Sequence, residues 1–372
     1  MNPQNAKIAL VFDWTTCRGG AERVNILLHK MFPQAPIFTS VFNKENFPEF
    51  KDADIRTSFI QKLPFAKKKH QYYLNFMPYA YEQFDLSEVD IVISSSHACA
   101  KGIITKPETL HICYCHSPMR YAWDNWHSYF EEYKMNPLIK FIGKRRMHKI
   151  RMWDRLSAER VDYYIANSNT TKNRIHKYYS KPSSIIHPSI DWKNHSISKK
   201  TKGYFLAVGR LTPYKKFDLL VEAFNETGLQ LKIVGTGISE TELRSKAKEN
   251  IEFTGFVSEK ELKTLYSECE ALVFPQLEDF GITPLEAMAS GRPVIAYGRG
   301  GALDTVVDGE TGILFEQQSA KSLQKALEKY MDNKKKFKPE NIREHAKNFS
   351  NEEFSRQFKK YLRDKWKHFS EK

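Results

Sequence analysis

Apolar runs alternate with stretches of helical apolar spacing along most of the chain, the pattern of a parallel sheet wrapped by helices. In the first half the runs are KIALVF (7–12), PIFTSVF (36–42), DIVISS (90–95), LHICYC (110–115) and DYYIANS (162–168). In the second half they are YFLAVG (204–209), LQLKIVG (229–235), IEFTGF (251–256), ALVFP (271–275), RPVIAY (292–297) and GILF (312–315). Each set suffices for its own doubly wound sheet, so the pattern predicts an α/β protein of two Rossmann-like domains. The 372-residue length agrees, because it exceeds what one hydrophobic core usually serves. DWKNHSISKKTKG (191–203) is polar, ends in glycine and lacks apolar periodicity, which reads as a linker with a boundary near residue 195. The expected domains are 1–195 and 196–350, followed by a helical tail over 351–372.

Open parallel sheets bind ligands outside the carboxyl ends of their strands, and the polar, glycine-bearing loops of this chain fall there. Gly19 and Gly20 follow the first run, Ser94 to His97 the third, and His116 the fourth. Arg210 to Lys215 follow the first run of the second half, with Gly235 and Gly237 after the next. Loops in these positions from both halves are expected to face one crevice. EDFGITPLEAMASG (278–291) follows ALVFP and reads as a loop and helix start, with Thr283 as N-cap, Pro284 at the first helical position, and Glu286 closing a capping box. Gly291 then ends the helix. Capping alone accounts for Glu286, whereas Glu278 is either an ordinary loop carboxylate or a ligand. Free amides behind Phe280, Gly281, Ile282 and Thr283 make an anion site. Carboxylates on either side of it suit hydroxyl-rich groups flanking a diphosphate, which is the layout of a nucleotide sugar.

The net charge of +14 admits nucleic acid, anionic lipid or anionic metabolites as partners. The cations concentrate in 65–84 and 141–155, mixed with aromatic and aliphatic residues, as on an interfacial surface or a merely solvated basic face. No helix-turn-helix, zinc-finger or RNP signature accompanies them, so nucleic acid is not an expected partner. Apolar and charged fractions of 41% and 27% are those of a globular protein. No run is long enough to span a bilayer and no leader pattern opens the chain, so a cytoplasmic location is expected, at the inner face of the membrane if attached. The five cysteines read as reduced and buried, and Cys113-x-Cys115 has no second pair to complete a metal set. Asp52-Ala53-Asp54 lies in a polar stretch away from the predicted strand ends, and no metal or other cofactor is expected.

The stretch VFPQLEDFGITPLEAMASGRPVIAYGRGGALDTVVDGETGILF, with Glu278 and Glu286 as E-x7-E, strongly resembles the retaining glycosyltransferases of family 4, which have the GT-B fold. LAVGRLTPYKKFDLLVEAF resembles them too, and the likeness covers nearly the whole chain. HSPMRYAWDNWHSYF (116–130) looks more like a subgroup containing O-antigen mannosyltransferases that use GDP-mannose. The resemblance implies two Rossmann-like domains facing a cleft, with a C-terminal helix packing back toward the N-terminal domain. It implies hexosyl transfer, with mannose from GDP-mannose favoured, to a glycan or lipid-linked acceptor for surface polysaccharide or glycolipid. By that resemblance Glu278 binds sugar hydroxyls and Glu286 the ribose diol. Arg210 and Lys215 hold the diphosphate with the amides of Gly281 to Thr283. The Gly19-Gly20 turn approaches the phosphates and acceptor, His97 contacts the transferring sugar, and Val257 lies in the segment that meets the base. Glu-Asp-Phe-Gly stands where many relatives have Glu-Gly-Phe-Gly, so Asp279 bears on loop geometry and sugar preference. Lys216 stands beside Lys215, and spacing from Arg210 favours Lys215 as the phosphate ligand.

His116, Tyr121 and Trp123 are acceptor-site candidates, with loop anchoring or aromatic core as the other reading. Cations and helix amides aimed at the departing diphosphate make transfer possible without a metal. A UDP-sugar transferase of the same fold, a nucleotide-sugar epimerase and a non-catalytic sugar- or nucleic-acid-binding module are the alternatives.

Overall fold

Successive side chains of strand β1 (Ile8–Phe12) enter two apolar layers, Ala9 and Val11 one, Leu10 and Phe12 the other, and all four are fully buried. A strand buried on both faces needs helices on both sides of its sheet. The computed structural model describes residues 6–124, 126 and 136–371. It forms two compact units, Met1–His187 with Phe354–Lys372, and Pro188–Glu353.

The first unit holds a seven-stranded sheet in the order β3-β2-β1-β4-β5-β6-β7. Its other strands are β2 (Ile37–Thr39), β3 (Ile55–Thr57), β4 (Ile91–Ser96), β5 (Leu110–Cys115), β6 (Tyr163–Ala166) and β7 (Ser183–Ile185). The second unit holds a six-stranded sheet in the order β10-β9-β8-β11-β12-β13. Its strands are β8 (Tyr204–Val208), β9 (Gln230–Val234), β10 (Ile251–Gly255), β11 (Leu272–Phe274), β12 (Val294–Tyr297) and β13 (Gly312–Phe315). Neighbouring strands pair in parallel throughout both sheets. Both are the doubly wound α/β sheets that the apolar runs predict. Only β3 and β7 were not predicted; each is a three-residue edge strand with polar residues, IRT and SSI, and so lacks an apolar run.

The division at 187/188 precedes the polar stretch 191–203. Ile190 is buried in the second core and donates its amide to Phe349 O at 2.9 Å, and His195 Nδ1 meets Ser290 Oγ at 3.1 Å. Residues just before 195 are therefore tied to the second unit. Helix Asn351–Ser370 places Phe354, Phe358, Leu362 and Trp366 at four-residue spacing, and all four join the Leu10/Phe12 layer of the first core. The C-terminal helix thus packs on the N-terminal domain, as the resemblance implies. Cys99, Cys113, Cys115 and Cys269 are buried, but Cys17 is exposed because it lies in the loop leaving β1.

Candidate functional site

In the second unit the strand order reverses between β8 and β11, so the loops leaving their carboxyl ends diverge and open a ligand site. Residues Pro213–Lys215 form one turn of 3-10 helix, and Lys216 takes a left-handed backbone (φ 58°) before helix Phe217–Thr227. Lys215 pairs across the divergence with Glu278, in the loop after β11. Their side chains are 15% and 20% exposed, so water screens the pair less than a surface salt bridge. Arg210 Nη2 donates to Tyr214 Oη at 3.2 Å, and the Lys215 ammonium lies 5.4 Å from the Tyr214 ring centre. One aromatic side chain therefore spaces two cations at this edge.

Helix Ile282–Ala289 starts one turn from Glu278, and its N-cap is Gly281 rather than Thr283. Gly281 has φ 86°, and a Cβ there would stand 2.9 Å from the Phe274 ring, so the chain enters the helix two residues earlier than the Thr-Pro motif predicts. Pro284 falls at the third helical position, where its missing N–H removes no helix bond. Glu286 is thereby released from the expected capping box. It lies inside the helix, largely buried, and accepts the Tyr266 hydroxyl at 2.9 Å. The amides of Ile282 and Thr283 belong to the first turn, whose donors have no acceptor within the helix. Phe280 turns its ring into the core, so the backbone is what it offers a ligand. Gly301, which the sequence reading did not single out, supports this loop: its amide donates to Glu278 O at 2.9 Å, and a Cβ there would lie 2.2 Å from Phe280. Beyond β10, Val257 packs partly on the core while the neighbouring Phe256 is 89% exposed.

The first sheet reverses between β1 and β4, and Asp13 closes that point. Its carboxylate accepts the amides of His97 at 2.6 Å, Ala98 at 2.9 Å, Cys99 at 2.7 Å and Ala100 at 2.8 Å. His97 Nδ1 lies 3.2 Å from the same carboxylate. Trp14 meets His97 edge-on at 4.9 Å and stacks on His70 at 4.6 Å; the His116 ring centre is 6.5 Å from His97. Burial, and then the nearby His97, lower the pKa of His70 to about 4 and of His116 to about 3. His116 Nε2 meets Ser95 Oγ at 2.8 Å. Gly19 caps helix Gly20–Met31, and Glu22 in its first turn is buried, which raises its pKa against the opposing effect of His97. Asp13, Glu22 and His70 were not predicted. The usable signal for Asp13 was an acid placed directly after an apolar strand.

Two acceptor candidates stand in packed surroundings. Tyr121 packs against the first core, and the Trp123 indole stacks on Tyr178 at 4.7 Å and donates to Asp154 Oδ2 at 2.8 Å. Of HSPMRYAWDNWHSYF, residue 125 and residues 127–130 lie outside the described residues. Asp54 of the D-x-D is held by Arg56 at 2.8 Å. Among the described residues no group of three or more His, Cys, Asp or Glu side chains gathers as metal ligands.

Two doubly wound domains with polar loops at their switch points define a two-domain α/β protein of the GT-B kind. Residues 18–193 match the Glycosyltransferase Family 4 domain and 188–349 match Glycosyl transferases group 1. The chain belongs to these GT-B glycosyltransferases. It is 31% identical over 205 residues to the alpha-1,3/1,6-mannosyltransferase ALG2 of Dictyostelium discoideum, covering 41% of this chain and 49% of that one. It is 31% identical over 153 residues to the O-antigen chain mannosyltransferase RfbU of Salmonella typhimurium, covering 38% and 43%. These matches span about half the length of the relatives or less. Among solved structures, Anabaena Alr3699/HepE in complex with UDP and glucose superposes with TM-score 0.70 at 16% identity, over 96% of this chain and 99% of that one.

Proposed function

We propose that this chain is a retaining hexosyltransferase that moves mannose from GDP-mannose to a glycan or lipid-linked saccharide, at an anionic membrane surface, without a metal cofactor. One observation carries the reading: at the β8/β11 divergence, Lys215 and Glu278 meet beside the open helix start at Gly281. That combination offers a cation and amides to a diphosphate and a carboxylate to hydroxyl groups. The names of the mannosyltransferase relatives support mannose, and a 38% identity over 110 residues to the GDP-mannose-dependent alpha-mannosyltransferase of Mycolicibacterium smegmatis, covering 29% of each chain, supports the guanine nucleotide.

In this reading Arg210, Lys215 and the amides of Gly281, Ile282 and Thr283 hold the diphosphate. Glu286 takes the ribose diol, Glu278 the sugar hydroxyls, and the Val257 segment the base. His97 contacts the transferring sugar, and Gly19 and Gly20 let backbone approach the phosphates. His116 is the acceptor-side candidate best placed near His97. The C1–O bond to the β-phosphate breaks, the acceptor oxygen bonds to C1 on the same face, and its proton passes to the departing phosphate. Negative charge grows on that phosphate in the transition state, where fixed cations and amides stabilise it most.

Thermal denaturation with GDP, UDP and ADP tests the base, because a ligand at 100 times its Kd stabilises the fold by about 2.7 kcal/mol. GDP should raise the midpoint most; a larger shift with UDP would move the reading to a UDP-hexose. Incubation of the corresponding sugar nucleotide with and without acceptor then tests transfer. Isomerised donor formed without an acceptor would make the protein an epimerase.

A further inference from the structure

Helix Pro137–Ser157 turns Met147, Ile150, Asp154 and Ser157 inward, leaving Phe141, Ile142, Met152 and Leu156 at least 41% exposed among Lys144, Arg145, Arg146 and Lys149. Its only acid, Asp154, is buried against Lys101, so it adds no negative charge to the outer face. The stretch 59–82 repeats this arrangement on the same unit. Ile60, Ala66, His70, Met77 and Ala80 are buried, while Phe65 (75%), Tyr72 (71%), Phe76 and Tyr79 stand exposed beside Lys67, Lys68 and Lys69. The two segments, more than fifty residues apart in sequence, meet at a groove of about 380 Å³ lined by Tyr72, Phe76, Arg146, Lys149 and Trp153.

We infer that this face docks on an anionic bilayer, with a lipid headgroup phosphate in the groove between Arg146 and Lys149 and the exposed aromatic and aliphatic side chains in the interface. Charge complementarity selects the partner's sign. Cations on an apolar surface suit a phosphate layer above acyl chains, where aromatic rings sit at headgroup depth. Single-stranded nucleic acid would use the cations and rings but would leave Ile142, Met152 and Leu156 without a partner. The inference gives a residue-level surface to the membrane location proposed above and does not depend on donor or acceptor identity.

Flotation of the full chain with phosphatidylcholine vesicles, with and without 30% phosphatidylglycerol, is the test. The protein should float with the anionic vesicles and be released by high salt. Each basic residue near an anionic surface changes partitioning about fivefold, so Arg146→Ala with Lys149→Ala should lower it about 25-fold. Phe65→Ser with Phe76→Ser should weaken it independently of salt. Both double variants should keep the parent's thermal midpoint and GDP response, which separates loss of docking from misfolding or a failed donor assignment. Equal flotation on neutral vesicles, full binding by the Arg146/Lys149 variant, or tighter binding to an oligonucleotide than to anionic vesicles would overturn the inference.

Discussion

Lys215 and Lys216 are adjacent, yet their backbones differ. Lys215 closes a 3-10 turn with its ammonium on Glu278, whereas Lys216 occupies a left-handed position at the start of the next helix. Lys215→Ala should therefore slow single-turnover transfer by roughly 10² to 10³, the usual cost of losing one contact to charge that grows in the transition state. Lys216→Ala should stay near the parent, and the parent's rate should not change with excess EDTA. A worse Lys216 variant would reassign the phosphate ligand; rescue of an EDTA-inhibited enzyme by Mg²⁺ would overturn the metal-free reaction. Glu286→Gln keeps an oxygen to accept the Tyr266 hydroxyl, so its stability cost should be at most about 1 kcal/mol. Loss of a charge-assisted bond to the ribose should weaken donor binding by roughly 10- to 100-fold in calorimetry. Unchanged affinity would leave Glu286 as a partner of Tyr266 alone. The sequence displayed both glutamates and both cations because each follows an apolar strand. It misplaced the cap because Thr-Pro-Leu-Glu satisfies the local rule, while the contact that decides the start, Gly281 against Phe274, is between strand and loop. A reciprocal capping box does occur at Ser258 and Glu261, at the start of helix Glu259–Glu268.

At the level of elements, every strand buried on both faces was legible as an apolar run, and the two that were missed lie at sheet edges. Edge strands need only one neighbour and carry polar residues, so apolar periodicity does not mark them. Asp13 shows why part of the site was hidden as well. Its function in the fold is to gather four amides from a turn 84 to 87 residues away, and no local spacing records that. Helix Asn351–Ser370 was legible from its four-residue apolar spacing, and the resemblance supplied its destination. Phe358 is fully buried and meets Phe32 at 6.4 Å. Phe358→Ala should cost about 3 to 5 kcal/mol and destabilise the first domain selectively. Hydrogen exchange would then quicken in β1 and β5 while β8 and β11 keep their protection. A uniform loss across both sheets would contradict that division.

Across the whole molecule, the two domains should respond unequally to acid. His70, His111 and His116 all belong to the first unit, and burial lowers their pKa values to about 4, 4 and 3. In the unfolded chain each returns to about 6.5, so below that pH the unfolded state binds more protons and stability falls as pH drops toward 4. At pH 5 each such histidine costs roughly 2 kcal/mol relative to pH 7. Urea unfolding followed by hydrogen exchange should show the first domain opening ahead of the second at pH 5, and His111→Asn should flatten the pH dependence. The discontinuous first domain has a further consequence, for biosynthesis. A ribosome translating from the N-terminus completes the seven-stranded sheet, then makes all of residues 188–353 before the helix that covers the Leu10/Phe12 face emerges. At about 5 to 20 residues per second that interval is on the order of 10 to 30 s, during which a nascent chain carries an uncovered apolar face. Ribosome-bound chains halted at residue 353 should recruit a hydrophobic-binding chaperone, and chains extended past the helix should release it.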